Sequence, residues 1–282
     1  MFHLPKLETV RTTSPLVSGA AVGDVDVWRD EHGVVCARGF FDGPRHWMEL
    51  PGIASFSFTR ASRSVKAFAH SGIASSLIRD AYRRSVLPMA VQARGWEVLH
   101  SSAVRTSRGV IALCGLSGVG KSTLAYALSL RGHVLWADDA VAYDPNSLTT
   151  AALTFQLRLR PEPARYFAAS CRTTPEDCAG SRARIGAIFA LTRQENKRTS
   201  CCRLSPAEAF PVVLKHAYCF TLGNAQRKRE MISNYLHFCG AVPVYELRVR
   251  DGLASVPSVV ELVERTIEGL SPRAALRRRA AL

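Results

Sequence analysis

Gly115-Leu116-Ser117-Gly118-Val119-Gly120-Lys121-Ser122 satisfies the pattern G-x-x-x-x-G-K-[S/T] at every specified position. Glycines at 115, 118 and 120 allow the backbone to turn its N–H groups inward and form a nest for phosphate oxygens. A helix starting near Lys121 adds the positive end of its dipole. Lys121 is placed to reach β- and γ-phosphates, and the Ser122 hydroxyl to ligate Mg²⁺. Thr123 falls at a cap or on the α-phosphate side. The candidate nucleotide-binding set is therefore Gly115, Ser117, Gly118, Val119, Gly120, Lys121, Ser122 and Thr123. Two further acids, Asp138-Asp139, end the next apolar run, where such a site needs a carboxylate. One can hold Mg²⁺ directly or through water, leaving the other to take a proton from an attacking hydroxyl or water.

The surrounding elements fit these roles. Val110–Cys114 is a continuous apolar run, as expected of a strand buried on both faces. A helix is predicted from Lys121 to Leu130, with Gly132 supplying its C-terminal cap. His133–Ala137 reads as the strand that carries the acids. Further strands are predicted at Phe155–Leu159, Ile185–Leu191 and Val242–Val249, and helices at Ser205–Lys215, Arg227–Phe238 and Val256–Glu268. This alternation indicates an α/β core. The first hundred residues read as a small mixed unit. Its expected elements are a hairpin over Val25–Val27, the turn Asp30–Gly33 and Val34–Ala37, then strands at Ser55–Phe58 and Val65–Phe68. Two helices follow, Ile73–Tyr82 and one opened by Pro88. The division expected is residues 1–95 for the N-terminal unit, 96–270 for the phosphate-loop unit and 271–282 for a basic tail.

The chain has 282 residues, 47% of them apolar, which supports a substantial core and excludes a disordered tail or a disulfide miniprotein. Its 37 Lys and Arg, 31 of them Arg, against 23 acids leave a net charge of +14. That surplus suggests an anionic partner, or simply Arg in place of Lys on a solvated surface. The arginine tail, Arg273 to Arg279, has no interleaved aromatic residues and argues against nucleic acid. None of the eight cysteines has CxxC spacing. Together with the lack of an apolar run long enough to span a bilayer, this leads us to expect reduced thiols in a cytoplasmic protein without membrane contact. A homo-oligomeric state is left open.

The phosphate loop, followed by Arg131-Gly132-His133 and Ala137-Asp138-Asp139 and preceded by Leu99-His100-Ser101-Ser102, resembles HPr kinase/phosphorylase over roughly residues 96–145. The resemblance implies a P-loop kinase core of the phosphoenolpyruvate-carboxykinase-like (HPr kinase) type, here with a small N-terminal α+β domain. It implies transfer from ATP, or GTP, with Mg²⁺ to a serine hydroxyl of a peptide or small protein. By the family pattern Asp138 is the base, Ser122 and Asp139 serve the metal, and His100 lies near the transferred phosphoryl, with Lys121 as a further catalytic group. The family's P-G-R-N signature is absent, so the reverse phosphorolysis is not expected. The chain looks more like diverged HPr-kinase-like proteins, some encoded with lasso-peptide biosynthesis, whose acceptor is a serine of a precursor peptide. Arg158 and Arg160, on one face of the predicted strand at 155–159, are candidates to neutralise phosphoryl charge. The alternatives are a nucleotide-hydrolysing regulatory module, a small-molecule kinase and a nucleic-acid-binding ATPase.

Overall fold

The computed structural model describes residues 4–10, 26–29, 32–153, 155–173, 180–195, 198–220 and 225–270. Val25, Asp30, Glu31, Cys178 and the arginine tail lie outside the described residues.

Six strands make the first sheet: β1 (Lys6–Val10), β2 (Asp26–Arg29), β3 (Val35–Asp42), β4 (Arg45–Leu50), β5 (Ala54–Thr59) and β6 (Ser64–Ala69). Their order is β1-β6-β5-β4-β3-β2, antiparallel except for the β1–β6 pair. Phe56, Phe58, Val65 and Ala67 line its buried face, against Ile78, Val86 and Leu87 of the helical segment that follows. That segment differs from the two expected helices. α1 (Ser75–Ala81) runs through a π turn at Tyr82–Val86 directly into α2 (Leu87–Gln92). Pro88 has no N–H, and its ring would collide with the carbonyl four residues back. The widened turn, in which the Leu87 amide reaches back to the Tyr82 carbonyl, relieves this and keeps the helix continuous.

The second sheet holds the phosphate loop. β7 (Glu97–Leu99) and β8 (Ser101–Thr106) precede β9 (Gly109–Cys114), the wholly apolar strand that enters the loop. α3 (Lys121–Leu130) leaves it and ends as the sequence suggests. Gly132 is left-handed, and the Gly132 and His133 amides close onto the Ser129 and Leu128 carbonyls. β10 (Val134–Ala137), β11 (Val141–Tyr143) and β12 (Thr149–Ala151) follow. The strand expected at 155–159 is only β13 (Leu157–Arg158), paired with β14 (Arg172–Thr173) in a separate ribbon, and Thr154 lies outside the described residues. Pro161 and Pro163 instead open α4 (Pro161–Tyr166), so Arg160 is a helix cap and shares no strand face with Arg158. β15 (Arg182–Gln194) is longer than predicted and central. It is followed by β16 (Ser200–Arg203), α5 (Pro206–Leu214), α6 (Ala225–Ala241), β17 (Val244–Arg250) and α7 (Val256–Glu268). α5 begins with a capping box between Ser205 and Glu208.

Strand order explains where chemistry can occur. β8 lies between β9 and β10 and is antiparallel to both, while β15 is parallel to β9 and β17 parallel to β15. The C-terminal ends of β9, β10, β15 and β17 therefore share one edge with the start of β8. The two sheets also share a core, since Val98, Ala140, Ala142 and Leu153 belong to the same buried cluster as Phe56 and Leu87. Glu97, fully buried, accepts from Arg227 and Asn234 at 2.8 Å each and ties β7 to α6.

His46 packs among Phe41, Phe58 and Phe220 with its Nδ1 buried and unbonded, and burial lowers its pKa to about 4. The native state thus refuses a proton that the unfolded chain accepts near pH 6.5. Stability from this group is complete above about pH 6.5 and falls as the pH drops toward 4, by up to ~1.4 kcal/mol per pH unit. His46→Phe should flatten that slope, leaving the parts due to His216, which shows the same shift, and to His100, whose pKa burial also lowers. Denaturant melts at pH 7 and pH 4.5 check this; an unchanged slope would refute it.

Candidate active site

The edge holds a cleft of about 520 Å³ whose floor is the glycine-rich turn. Gly115, Gly118 and Gly120 have φ of +152°, +81° and +110°, conformations that side chains resist. A Cβ on Gly115 would meet the Leu191 carbonyl oxygen at 2.9 Å and Val119 Cγ1 at 2.7 Å. The turn is thus pressed directly against β15. The Lys121 ammonium donates to the Gly115 and Leu116 carbonyls at 2.9 and 3.2 Å. Burial pushes its pKa down, opposed by the Cys114 thiol and by Asp139 and Asp138. Ser117, Val119 and Thr123 line the same cleft. The Arg160 guanidinium lies over Gly118, and Arg193 Nε donates to the Val119 carbonyl at 3.3 Å.

Asp138 joins three parts of the chain. Its Oδ1 accepts from Ser102 Oγ at 2.6 Å and Ser122 Oγ at 2.8 Å, and its Oδ2 from the Arg158 amide at 3.1 Å. Burial raises its pKa, as does the neighbouring Asp139 carboxylate, while these three donors act against the rise. Ser122 therefore bonds Asp138, and the Asp139 carboxylate pairs with Arg84 instead, Nε to Oδ2 at 3.0 Å. Asp139 has a left-handed backbone, φ +66°, uncommon for a residue with a side chain. Its carbonyl is held by His100 Nδ1 at 3.0 Å and the Tyr218 hydroxyl at 3.4 Å.

A carbonyl can only accept, so His100 carries its hydrogen on Nδ1 and its lone pair on Nε2. Burial, with Lys121 nearby, lowers the pKa of His100 and keeps it neutral. Its position comes from a link between β7 and the chain after α5: the His100 amide donates to the His216 carbonyl at 2.7 Å. The Ser122 hydroxyl and Asp138 carboxylate are hard oxygen donors of the kind Mg²⁺ takes when phosphate oxygens and water complete its shell.

No family model matches the chain, and no curated protein matches its sequence. Among solved structures the chain is similar to the Hpr(Ser) kinase/phosphatase from Coxiella burnetii. The identity is 13%, covering 60% of this chain and 89% of that one, with a TM-score of 0.32. Among the described residues, no helix is long and apolar enough to cross a membrane.

Ser117 to Thr123 of the loop, Asp138, Asp139 and His100 converge in this cleft, whereas Gly115 is not on its lining and packs against β15. Arg158 has another commitment, because its guanidinium pairs with Asp80 and its amide caps Asp138. Ser102, Arg84 and Tyr218 were missed from sequence. For Ser102 a signal existed: two serines next to His100 open the buried start Ser101–Val104 of a strand, and buried hydroxyls need partners. Arg84 and Tyr218 carry no comparable local mark.

Gly115→Ala should deform the turn against the Leu191 carbonyl. We expect a stability loss above ~1 kcal/mol. Under the nucleotide-binding expectation of the sequence, ATP affinity should weaken at least about tenfold. Thermal melts and equilibrium titration with a fluorescent ATP analogue check both, and wild-type affinity would refute the expectation.

Proposed function

We propose that this protein is an ATP- and Mg²⁺-dependent phosphotransferase that moves the γ-phosphoryl to a serine hydroxyl of a peptide or small protein, such as a precursor peptide. The observation that carries the reading is the bond from Ser122 to Asp138, which closes the phosphate turn onto one acid and leaves the adjacent acid at the cleft wall. One acid fixed on Ser122 and a second at the cleft wall supply the anchor and the base that transfer to an alcohol uses; attack by water would use the same pair, so the acceptor assay separates the two.

The loop amides and Lys121 hold the phosphate charge, with Arg160 and Arg193 at the rim. Magnesium, when bound, supplies charge neutralisation across the β- and γ-phosphates. Ser122 and Asp138 would hold it. Asp138 has both oxygens occupied by donors, so it suits a fixed anchor better than a proton acceptor. Asp139, its side chain 27% exposed, then takes the proton as the serine oxygen attacks phosphorus and the bond to the ADP oxygen breaks. This order reverses the roles implied by the family resemblance. Neutral His100, on the cleft lining, orients Asp139 through its carbonyl.

Asp139→Asn should keep MgATP affinity within about threefold while transfer falls about 10²- to 10⁴-fold. Asp138→Asn should lose the Mg²⁺-dependent part of nucleotide affinity. Mass spectrometry for one added phosphoryl group on serine-containing peptides reads transfer, and titrations with and without Mg²⁺ read binding. Acceptor-independent hydrolysis alone would replace the kinase reading with that of a nucleotide-hydrolysing regulatory module.

A further inference from the structure

We infer that Arg84, carried on the N-terminal helical segment, is a positioning residue for Asp139, so that the unit ahead of the phosphate loop completes the site. This inference rests on the phosphotransferase reading above. Two side chains of the segment, Asp80 and Arg84, stand four residues apart and reach the two acids that follow β10, one directly and one through Arg158. Arg84 pairs with the Asp139 carboxylate, and Asp80 pairs with Arg158, whose amide caps Asp138. Each acid is thereby tied to the same stretch of helix.

Local geometry makes this more than a surface contact. The π turn at Tyr82–Val86, required by Pro88, adds a residue to one turn and so rotates the part of the helix that carries Arg84. The turn is anchored on the opposite side, since the Tyr82 hydroxyl donates to the Pro5 carbonyl and Val86 and Leu87 are buried. Arg84 therefore projects from a fixed backbone. Asp139, left-handed in its backbone, is held by three separate contacts: His100 and Tyr218 on the carbonyl and Arg84 on the carboxylate. Unfavourable backbone conformations persist where the surroundings over-determine them, and they cluster at functional sites. The Arg84 side chain is 49% exposed, and ion pairs that exposed contribute little to stability. What the contact provides is orientation of a carboxylate at the cleft wall, where a small displacement of a reacting group is costly.

The test uses the full chain as Arg84→Ala and Arg84→Lys, with Arg79→Ala on the same helix as control. MgATP turnover is followed both as phosphate release and as phosphoserine on a serine-peptide mixture, alongside thermal melts and MgATP titrations. Arg84→Ala should melt as wild type does, keep its MgATP dissociation constant within about twofold, and turn over at least about tenfold more slowly. Added guanidinium ion should restore part of the rate, Arg84→Lys should fall between, and Arg79→Ala should match wild type. Full activity in Arg84→Ala overturns the assignment. So does a slow variant that guanidinium does not rescue and that has also lost MgATP affinity, the result of a merely structural role. If wild type binds MgATP but turns over neither way, the phosphotransferase reading fails and Arg84's role with it. If wild type turns over and Arg84→Ala does so equally, only the role of Arg84 fails.

Discussion

A buried carboxylate is tolerated only when donors surround it, and Asp138 obtains its three donors from three different elements. Ser102 comes from β8, Ser122 from the first turn of α3, and the Arg158 amide from the ribbon after β12. Each element can be displaced only by stripping Asp138 of a donor. The carboxylate thus couples the phosphate turn to the sheet and the sheet to the segment that carries Arg158 and Arg160. The antiparallel insertion of β8 makes this geometry available. It separates β9 from β10 by one strand width, and the Ser102 hydroxyl fills the gap between their ends.

The second acid has a different environment for the same topological reason. Two residues past the end of β10, Asp139 turns left-handed and leaves the sheet, so its carbonyl and carboxylate point to groups from other layers. His100 approaches from the β7–β8 junction, Tyr218 from the chain after α5, and Arg84 from the N-terminal helix. Adjacent acids in sequence therefore become one buried, triply bonded group and one half-buried group beside a guanidinium.

Several arginines have identifiable local roles. Arg84, Arg158, Arg160 and Arg193 surround the cleft. Others pair on the surface, as Arg38 does with Glu49 and Arg131 with Glu264, or lie over rings, as Arg105 does over Trp136 and Arg182 over Trp96. Ion pairs cancel charge, so these contacts leave the net +14 in place.

What the sequence determined by itself was whatever depends on neighbours along the chain. The G-x-x-x-x-G-K-S turn, the helix after it with its Gly132 cap, the apolar run of β9, and α5 and α7 all follow from local spacing and capping chemistry. Local rules went only part of the way in two places. Pro88 does stand in the first turn of α2, but spacing alone did not show that α1 and α2 join through a π turn. The segment 155–159 could be read as one strand, whereas only Leu157 and Arg158 pair, and Pro161 and Pro163 open a helix directly after Arg160. Only the tertiary structure decided which acid met Ser122, that Ser102 was a partner, and that Arg84 stood beside Asp139. These contacts join residues 36, 16 and 55 positions apart across a sheet edge. No periodicity encodes such distances, because they are set by strand order and by which buried charge must find its donors.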